Sequence, residues 1–357
     1  MEKKRLYIDL HVLQTVPPSC LNRDDTGSPK TAVYGGTIRA RVSSQAWKRA
    51  VRLMFRQELF PKDQLGERTK MIVALVAEEI CKLTSEQDAV KLAIDALEKA
   101  GLGKVKEDKG TDALFFMSHD QAKALAELIV AGNDDKKAYK AALKEKPSVD
   151  MVLFGRMVAS DPSLNYDAAA QVAHSISTHA VQNEYDYFTA VDDCAPEDNA
   201  GAGHLGTVEY NSSTLYRYAT VNLLELMEHL GKEMTPAVVR AFAEAFIRSM
   251  PTGKQNTFAN RTLPDAVYMT IREDQPVNLC GAFERAVPAS AEGYVEPSKR
   301  RLVEYAQQMY QSYADAPSQA LTVGTGLEQL AQPMPLKAAL STLEESVQQY
   351  LDKNGVE

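Results

Sequence analysis

The apolar positions of residues 37–56 change period, from the spacing of a strand to the spacing of a helix. Ile38, Ala40 and Val42 alternate with other residues, which indicates a short strand. The next apolar residues have the helical spacing i, i+3, i+4 and i+7, and they are Trp47, Ala50, Val51 and Met54. Ser43 or Ser44 stands between the two patterns, and serine is a typical N-cap residue. The segment therefore predicts a strand that runs directly into an amphipathic helix.

Positive charge is concentrated on this strand and helix. Residues 37–56 contain six Lys or Arg residues and no acid, although the whole chain has a formal net charge of −8. Ordinary surfaces mix the two signs, and attraction of a polyanion depends on the local field rather than on the total charge. We expect the free N–H groups of the helix start to form a site for phosphate oxygens together with the nearby cations. Those cations are Arg39 and Arg41 on the strand, Lys48, Arg52 and Arg56 at steps of four along the helix, and Arg49 beside them.

The rest of the chain has the pattern of an α+β protein. The first strand, residues 6–12, alternates as if half-buried, and residues 62–145 are typical of an inserted group of helices. Further strands are predicted at residues 148–160, 185–193, 207–211, 214–223 and 265–273, with serines 212 and 213 as a turn. Further helices are predicted at residues 166–181, 235–250, 279–287, 297–314 and 335–352. Without its insertions this order suggests a ferredoxin-like core, the arrangement of the RRM.

Composition argues against several other classes of protein. A seven-residue apolar run, residues 71–77, is far shorter than the roughly 18–20 residues that cross a bilayer. Asp9 and His11 interrupt the apolar part of the N-terminus, so we expect no signal peptide and a cytoplasmic protein without membrane contact. The four cysteines are widely separated, which favours reduced thiols over a zinc site or disulfides. We therefore predict no metal and no cofactor.

Six motifs, taken in order, resemble the CasC family, which forms the backbone of the type I-E CRISPR surveillance complex Cascade. They are "HVLQTVPPSCLNRDD", "AVYGGTIRARVSSQAWKRAVR", "LFGRMVAS", "YFTAVDD", "GHLGTVEY" and "LYRYATVNL". The resemblance spans nearly the whole chain. It implies an RRM-like palm at residues 1–60 and 181–357, with a thumb loop at about 193–210, and a mainly helical fingers insertion at residues 61–180.

The resemblance also implies a function without catalysis. Copies of the chain would polymerise head to tail along the spacer of a CRISPR RNA and present its bases for pairing with target DNA, alongside other Cascade subunits. By motif match, the backbone of the guide RNA would be held by Arg23, Lys30, Ser43, Gln45, Lys48, Arg52 and Lys254. Arg156 and Met157 would lie near a kinked nucleotide, where a methionine can wedge against a base or can simply pack in the core. His204, near the thumb, completes the expected RNA-binding set.

Two other functions stay open from the sequence. In related type III complexes the backbone subunit cuts RNA with an Asp on a loop comparable to the one that holds Asp24 and Asp25, so a metal-dependent endoribonuclease is the alternative. Asp192 and Asp193 form a second acidic pair that could bind a divalent ion or cap a turn. A pure protein scaffold would account for the acidic remainder of the chain but not for the basic segment.

Overall fold

The computed structural model describes residues 5–84, 88–158, 160–190, 192–194 and 204–353. The strands are β1 (Tyr7–Ser19), β2 (Thr31–Tyr34), β3 (Thr37–Val42), β4 (Gly66–Thr69), β5 (Phe115–Ser118), β6 (Ala170–Val172), β7 (Ser175–Ser177), β8 (Glu184–Ala190), β9 (His204–Asn222), β10 (Ala266–Arg272) and β11 (Gln319–Val323). The α-helices are α1 (Ser44–Met54), α2 (Ile72–Leu83), α3 (Ala89–Lys99), α4 (His119–Val130), α5 (Lys136–Lys144), α6 (Val149–Phe154), α7 (Leu223–Arg248), α8 (Gln255–Phe258), α9 (Val295–Ser312) and α10 (Leu336–Lys353).

The chain folds into two compact units. Unit 1 contains Met1–Val51, Val172–Thr220 and Phe242–Val347. Unit 2 contains Arg52–Gln171, Val221–Ala241 and Gln348–Glu357. The fold is mixed, with helices and an antiparallel sheet, as an α+β chain requires.

An antiparallel sheet is the centre of unit 1. Its strand order is β11-β10-β1-β9-β7-β3-β2, and β8 pairs separately with β9. β1 is buried on both faces rather than on one, so the prediction of a half-buried strand is wrong. Its polar residues are buried because they have partners. Asp9 accepts 2.8 Å hydrogen bonds from the Tyr218 hydroxyl and from the backbone N–H of Val277, and Nδ1 of His11 is hydrogen-bonded to the Tyr216 hydroxyl at 2.8 Å.

Unit 2 is mainly helical. The apolar faces of α2, α3, α4 and α5 form one core, and the short antiparallel pair β4–β5 contributes Phe115 and Met117 to it. Ser118 and Gln121 form a capping box at the start of α4, each side chain satisfying the other residue's backbone N–H. The helices predicted within residues 62–145 are therefore present.

Three predicted elements have a different structure. Residues 149–154 form helix α6 rather than a strand, because a short apolar run does not distinguish the two by its period. The alanine-rich stretch at residues 166–181, predicted as a helix, contains strands β6 and β7, and pairing of β7 with β3 and β9 overrides its helical propensity. Residues 204–222 form one continuous strand, so serines 212 and 213 are not a turn.

The described residues contain no helix with both the length and the apolar character that crossing a membrane requires. Within the same ranges, no group of three or more His, Cys, Asp or Glu side chains is placed to hold a metal ion.

Candidate nucleic-acid interface

Helix α1 begins at an exposed corner of unit 1 and is anchored by its buried face. Ser43 caps it, since the Ser43 Oγ accepts a 3.3 Å hydrogen bond from the backbone N–H of Ala46. Trp47 is fully buried and donates from Nε1 to Oγ of Ser175 at 2.9 Å. The guanidinium of Arg217 lies 3.7 Å from the centre of the Trp47 ring. These contacts fix the start of the helix, where Gln45 is exposed. The first N–H groups of a helix have no acceptor within the helix, and here Ser43 satisfies that of Ala46.

Asn22 joins the loop after β1 to this helix start. Its side-chain oxygen accepts from the backbone N–H of Ser43 at 2.9 Å, and its carbonyl accepts from the N–H of Lys30 at 2.8 Å. The carbonyl of Lys30 in turn accepts from the N–H of Arg41 at 2.9 Å. Lys30 and Arg41 are therefore neighbours, next to the N-terminus of α1. Sequence reasoning missed Asn22, because an uncharged loop residue gives no signal of the two segments that it connects.

Arg23 lies on a tight turn that Asp24 organises. Oδ1 of Asp24 accepts from the N–H and the hydroxyl of Thr26, at 3.0 and 2.7 Å, and from the N–H of Ser28 at 3.0 Å. These bonds, of which the Thr26 hydroxyl makes the strongest contribution, lower the pKa of Asp24. Oδ1 of this carboxylate is thus used in hydrogen bonds within the turn. The neighbouring side chains of Arg23 and Asp25 are exposed. The turn lines an open depression of about 540 Å³ that extends from Leu21 to Gly27 and includes Gly253.

Gly253, the residue before Lys254, brings a distant part of the chain to the same depression. A Cβ on Gly253 would lie 2.1 Å from the carbonyl oxygen of Leu21, so only glycine allows this close packing of the two backbones. Lys254 follows in the left-handed region, with φ of 51°. Burial raises the pKa of the Cys20 thiol, and the positive charges of Arg23 and Lys254 oppose that increase. Both cations therefore lie close enough to act on one thiol, and the structure brings them together.

Lys48 and Arg49 extend the positive charge along α1. Lys48 is half-buried and Arg49 is exposed. Burial lowers the pKa of Lys48, because a partly buried ammonium loses hydration. Within the described ranges of the chain, neither side chain forms an ion pair. A partly desolvated ammonium without an acidic partner is suited to receive an anion.

Arg41 is held at the edge of the sheet. Its Nε donates to the carbonyl of Thr31 at 3.0 Å, and Nη1 lies 3.1 Å from Nδ1 of His174. The pKa of His174 is lowered by burial first and then by the charges of Arg41 and Lys30. Because a guanidinium can only donate, Nδ1 of His174 is the acceptor in this contact. We use the name basic corner for Arg23, Lys30, Arg41, Lys48, Arg49 and Lys254, with Ser43 and Gln45 at the helix start.

The structure contradicts the expectation for Arg39, which is fully buried. Its Nε donates to the hydroxyl of Thr37, Nη1 donates to the carbonyl of Ser177 at 2.9 Å, and Nη2 donates to the carbonyls of Phe283 and Glu284 at 3.0 Å. The exposed residue next to it is Ile38. The prediction that Arg39 contributes to the phosphate site is therefore wrong, because its guanidinium donates to protein carbonyls instead.

Arg52, which belongs to unit 2, is also engaged within the protein. Its Nε donates to Oδ2 of Asp150 at 2.9 Å, and its guanidinium lies 4.6 Å from the centre of the Phe116 ring. The prediction that Arg52 is available to hold the RNA backbone is therefore corrected, because its guanidinium is used in this ion pair. Arg52 neutralises a buried carboxylate, and changing it would disturb unit 2.

Arg156 and Met157 are adjacent in sequence but have opposite environments. Arg156 is buried and donates to the carbonyls of Leu164, Phe116 and Leu143 at 3.0, 3.1 and 2.7 Å. Burial lowers its pKa to about 10. Its expected role near RNA is contradicted, because its donors are used inside unit 2. Met157 is 84% exposed, which rules out simple core packing and leaves the wedge as a prediction.

His204 begins strand β9, opposite Ala190 of β8. Its backbone is therefore part of a two-stranded arm, and its side chain lies outside the described residues. Residues 204–210, which the resemblance placed in the thumb loop, are a paired strand, and the strand predicted at residues 207–211 lies within it. Residues 195–203 of the expected thumb also lie outside the described part of the chain. Asp192 accepts a 2.9 Å hydrogen bond from the N–H of Cys194, as a turn cap does.

Comparisons with known proteins agree with this structure. The family model of "CT1975-like protein" matches residues 8–349. A chain of a solved structure described as "CRISPR RNA-guided surveillance complex, pre-nicking" has 31% sequence identity and a TM-score of 0.75, over 96% of this chain and 100% of that one. A chain of a second structure, described as "CRISPR RNA-guided surveillance complex", has 30% identity and a TM-score of 0.63, over 95% and 99%. No curated protein matched the sequence.

The family match covers nearly the whole chain, as does each structural match. The resemblance to CasC that the sequence motifs indicated is thereby confirmed. This chain belongs to the CT1975-like protein family and is similar throughout its length to subunits of CRISPR RNA-guided surveillance complexes.

Proposed function

We propose that this chain is a non-catalytic RNA-binding subunit of Cascade. Copies of it polymerise along the spacer of a CRISPR RNA in the cytoplasm and hold the ribose-phosphate backbone, so that the bases can pair with target DNA. The observation that carries this proposal is the basic corner, where cations from three separate segments meet beside a capped helix start. In this proposal unit 1 supplies an RRM-like palm, and the complex is of type I-E.

The chemistry of the basic corner suits a backbone rather than a base sequence. Lysine and arginine neutralise phosphates, and the N–H groups of a helix start donate to their oxygens. Such contacts position a nucleic acid but do not distinguish its bases. Sequence specificity would then come from base pairing by the guide, which is the division of labour in RNA-guided effectors.

The main support for a non-catalytic role is the state of Asp24. Its Oδ1 accepts three hydrogen bonds from its own turn, so this carboxylate has the structural role of stabilising that turn. Incubating the protein with RNA and Mg²⁺ tests the point. We expect intact RNA, whereas cleavage that is lost in Asp24→Ala or Asp25→Ala would identify an endoribonuclease.

RNA binding itself is tested by titration against two RNAs of unrelated sequence at several salt concentrations. We expect affinities that agree within about threefold and that fall with salt, with a slope of about −0.7 per phosphate contact in a plot of log K against log salt. A strong preference for one sequence, or binding that does not depend on salt, would contradict contact through the backbone.

A further inference from the structure

Lys254 lies on an excursion of the chain between α7 and β10, residues 250–262, which we call the Lys254 loop. Lys254 and Ala259 flank the short helix α8 within it, and both have a left-handed backbone, with φ of 51° and 47°. This region is unfavourable for residues other than glycine, so such a conformation persists only where the surroundings hold it. Contacts from outside the loop must therefore fix the position of Lys254.

Gln14, which is fully buried on β1, holds both ends of the Lys254 loop. Its Nε2 donates to Sδ of Met250 at 3.2 Å and to the carbonyl and the hydroxyl of Thr262 at 3.0 and 3.2 Å. The backbone N–H of Thr262 donates to the same sulfur at 3.3 Å, and its hydroxyl donates to the carbonyl of Thr15 at 2.7 Å. One amide group of β1 thereby fixes the start and the end of the loop.

Arg217 determines which way the amide of Gln14 points. Its Nη1 donates to Oε1 of Gln14 at 2.5 Å, and its Nη2 donates to the carbonyl of Phe246. A guanidinium can only donate, so the amide oxygen must face Arg217 and the amide nitrogen must face the loop. The residue at position 14 therefore has to accept on one side and donate on the other, which neither a carboxylate nor an apolar side chain can do.

The same guanidinium contacts helix α1, which carries Lys48. It lies 3.7 Å from the centre of the Trp47 ring, on the buried face of that helix. Arg217 is fully buried, and burial lowers its pKa to about 9. In the described part of the chain no acid forms an ion pair with it. A buried cation without a counter-ion is unfavourable for folding, which indicates that Arg217 has a role other than stability.

Trp47, Arg217, Gln14 and the Lys254 loop thus form one continuous series of contacts within unit 1, from helix α1 to Lys254. We propose that Gln14 is a positioning residue for RNA binding, which holds Lys254 at a fixed place relative to Lys48, so that both cations contact phosphates of one strand. A group that is already held in its binding position loses less freedom when the ligand binds. Because Gln14 is buried, it acts through Lys254 and does not touch RNA. This inference rests on the proposed function and deepens it.

Two substitutions of Gln14 release the loop in different ways. Gln14→Met has a similar length and removes the whole amide. Gln14→Glu keeps an oxygen that accepts from Arg217 but has no donor for the loop. The control, Gln311→Glu, makes the same change of charge at an exposed position on α9. Circular dichroism and urea titration check that each variant is folded where binding is measured.

RNA affinity and its salt dependence are measured for each protein. Gln311→Glu should agree with wild type within about threefold, whereas each Gln14 variant should bind about tenfold more weakly, as expected for one lost contact to a charged group. The slope of log K against log salt should become shallower by about 0.7, the value for one phosphate of single-stranded RNA. Lys254→Ala should weaken wild type about tenfold but Gln14→Met less than about twofold, because the contact is already lost there.

Protection of each lysine from acetylation separates positioning from a general loss of stability. With RNA at saturation, both Gln14 variants should retain protection of Lys48 and lose protection of Lys254. A variant that is only less stable would instead lose protection of the two lysines in parallel.

Four results would overturn the inference. RNA could still protect Lys254 in both Gln14 variants, or it could leave Lys254 unprotected in wild type. Protection of Lys48 and Lys254 could fall together in the variants, or neither variant could fold, which would make Gln14 a residue of the core alone.

If wild type binds no RNA at all, the proposed function fails first, and amide hydrogen exchange without RNA decides the placement of the loop separately. The amides of residues 252–258 should exchange at least about tenfold faster in Gln14→Met than in wild type, while those of residues 47–52 should stay as slow as before. Equal exchange rates at residues 252–258 would show that Gln14 does not hold the loop.

Discussion

The carboxylate of Asp150 is 1% exposed and accepts a 2.9 Å hydrogen bond from Nε of Arg52. Its other oxygen accepts from the N–H of Gly66 at 2.9 Å and from the hydroxyl of Ser148 at 2.8 Å. Arg52 is thus the cation that neutralises a buried acid, although its spacing along α1 resembles that of the exposed cations. A cation that helical spacing assigns to the polar face of a helix can therefore form its ion pair with a buried acid inside the protein.

Replacing Arg52 with Ala should destabilise the protein. The change leaves the carboxylate of Asp150 buried without its charged partner, and the loss of such a hydrogen bond costs about 1.5–3 kcal/mol. The free energy of unfolding from urea titration measures the effect. Arg49→Ala, on the exposed face of the same helix, is the matched control and should change stability by less than about 0.5 kcal/mol. Equal stability of the two variants would show that the ion pair is not needed.

Reversing the charge of Lys48 and Arg49 should weaken RNA binding and leave the fold intact. If each side chain contacts one phosphate of single-stranded RNA, the slope of log K against log salt should become shallower by about 1.4 in Lys48→Glu/Arg49→Glu. The control, Lys337→Glu/Lys353→Glu, makes the same change of net charge at exposed positions elsewhere. If the control changes the slope as much, overall charge rather than the basic corner attracts RNA.

Asp9 should make the stability of unit 1 depend on pH. Burial raises its pKa to about 6, against hydrogen bonds from Val277, Thr220 and Tyr218 and the charge of Arg272, which lower it. The folded state therefore favours the protonated acid, so its contribution to stability is present below about pH 4 and is lost as pH rises through 6. A shift of about two pKa units corresponds to about 3 kcal/mol.

The difference in unfolding free energy between wild type and Asp9→Asn isolates this contribution from the other acids. Wild type should lose about 3 kcal/mol relative to the variant between pH 4 and pH 7. A difference that does not change with pH would show that the pKa of Asp9 is the same in the folded and unfolded chains.

Met157 should matter for RNA and not for stability. Because its side chain is 84% exposed, Met157→Ala should change the free energy of unfolding by less than about 0.5 kcal/mol. If the side chain wedges against a base, the same change should weaken RNA binding about fivefold, while Met157→Leu should retain most of the affinity. Unchanged affinity in Met157→Ala would exclude the wedge.

The main features of the basic corner could be predicted from sequence, because they depend on local patterns. The change of period at Ser43 located the start of α1, and the buried face of Trp47, Ala50, Val51 and Met54 is as expected. Once that buried face is located, Lys48 and Arg49 can be placed on the remaining surface of the helix. The family could also be identified from the sequence, because the identification depends on motifs that occur in a fixed order.

The errors arose where distant segments decide the environment. Arg39 is buried because carbonyls of Ser177, Phe283 and Glu284 surround it, and no local pattern indicates those partners. Arg156 is buried for the same kind of reason. Strand β7 was missed because its pairing with β3 and β9 outweighs the helical propensity of its sequence.

Protection of lysines by RNA tests the central claim most directly. The protein is treated with an amine-acetylating reagent, with and without a saturating RNA, and acetylation is measured at each lysine by mass spectrometry. The account predicts that RNA protects Lys30, Lys48 and Lys254 and leaves Lys337 and Lys353 as reactive as before. If RNA is bound but those three lysines react at their original rates while protection appears elsewhere, the basic corner is not where this protein holds RNA.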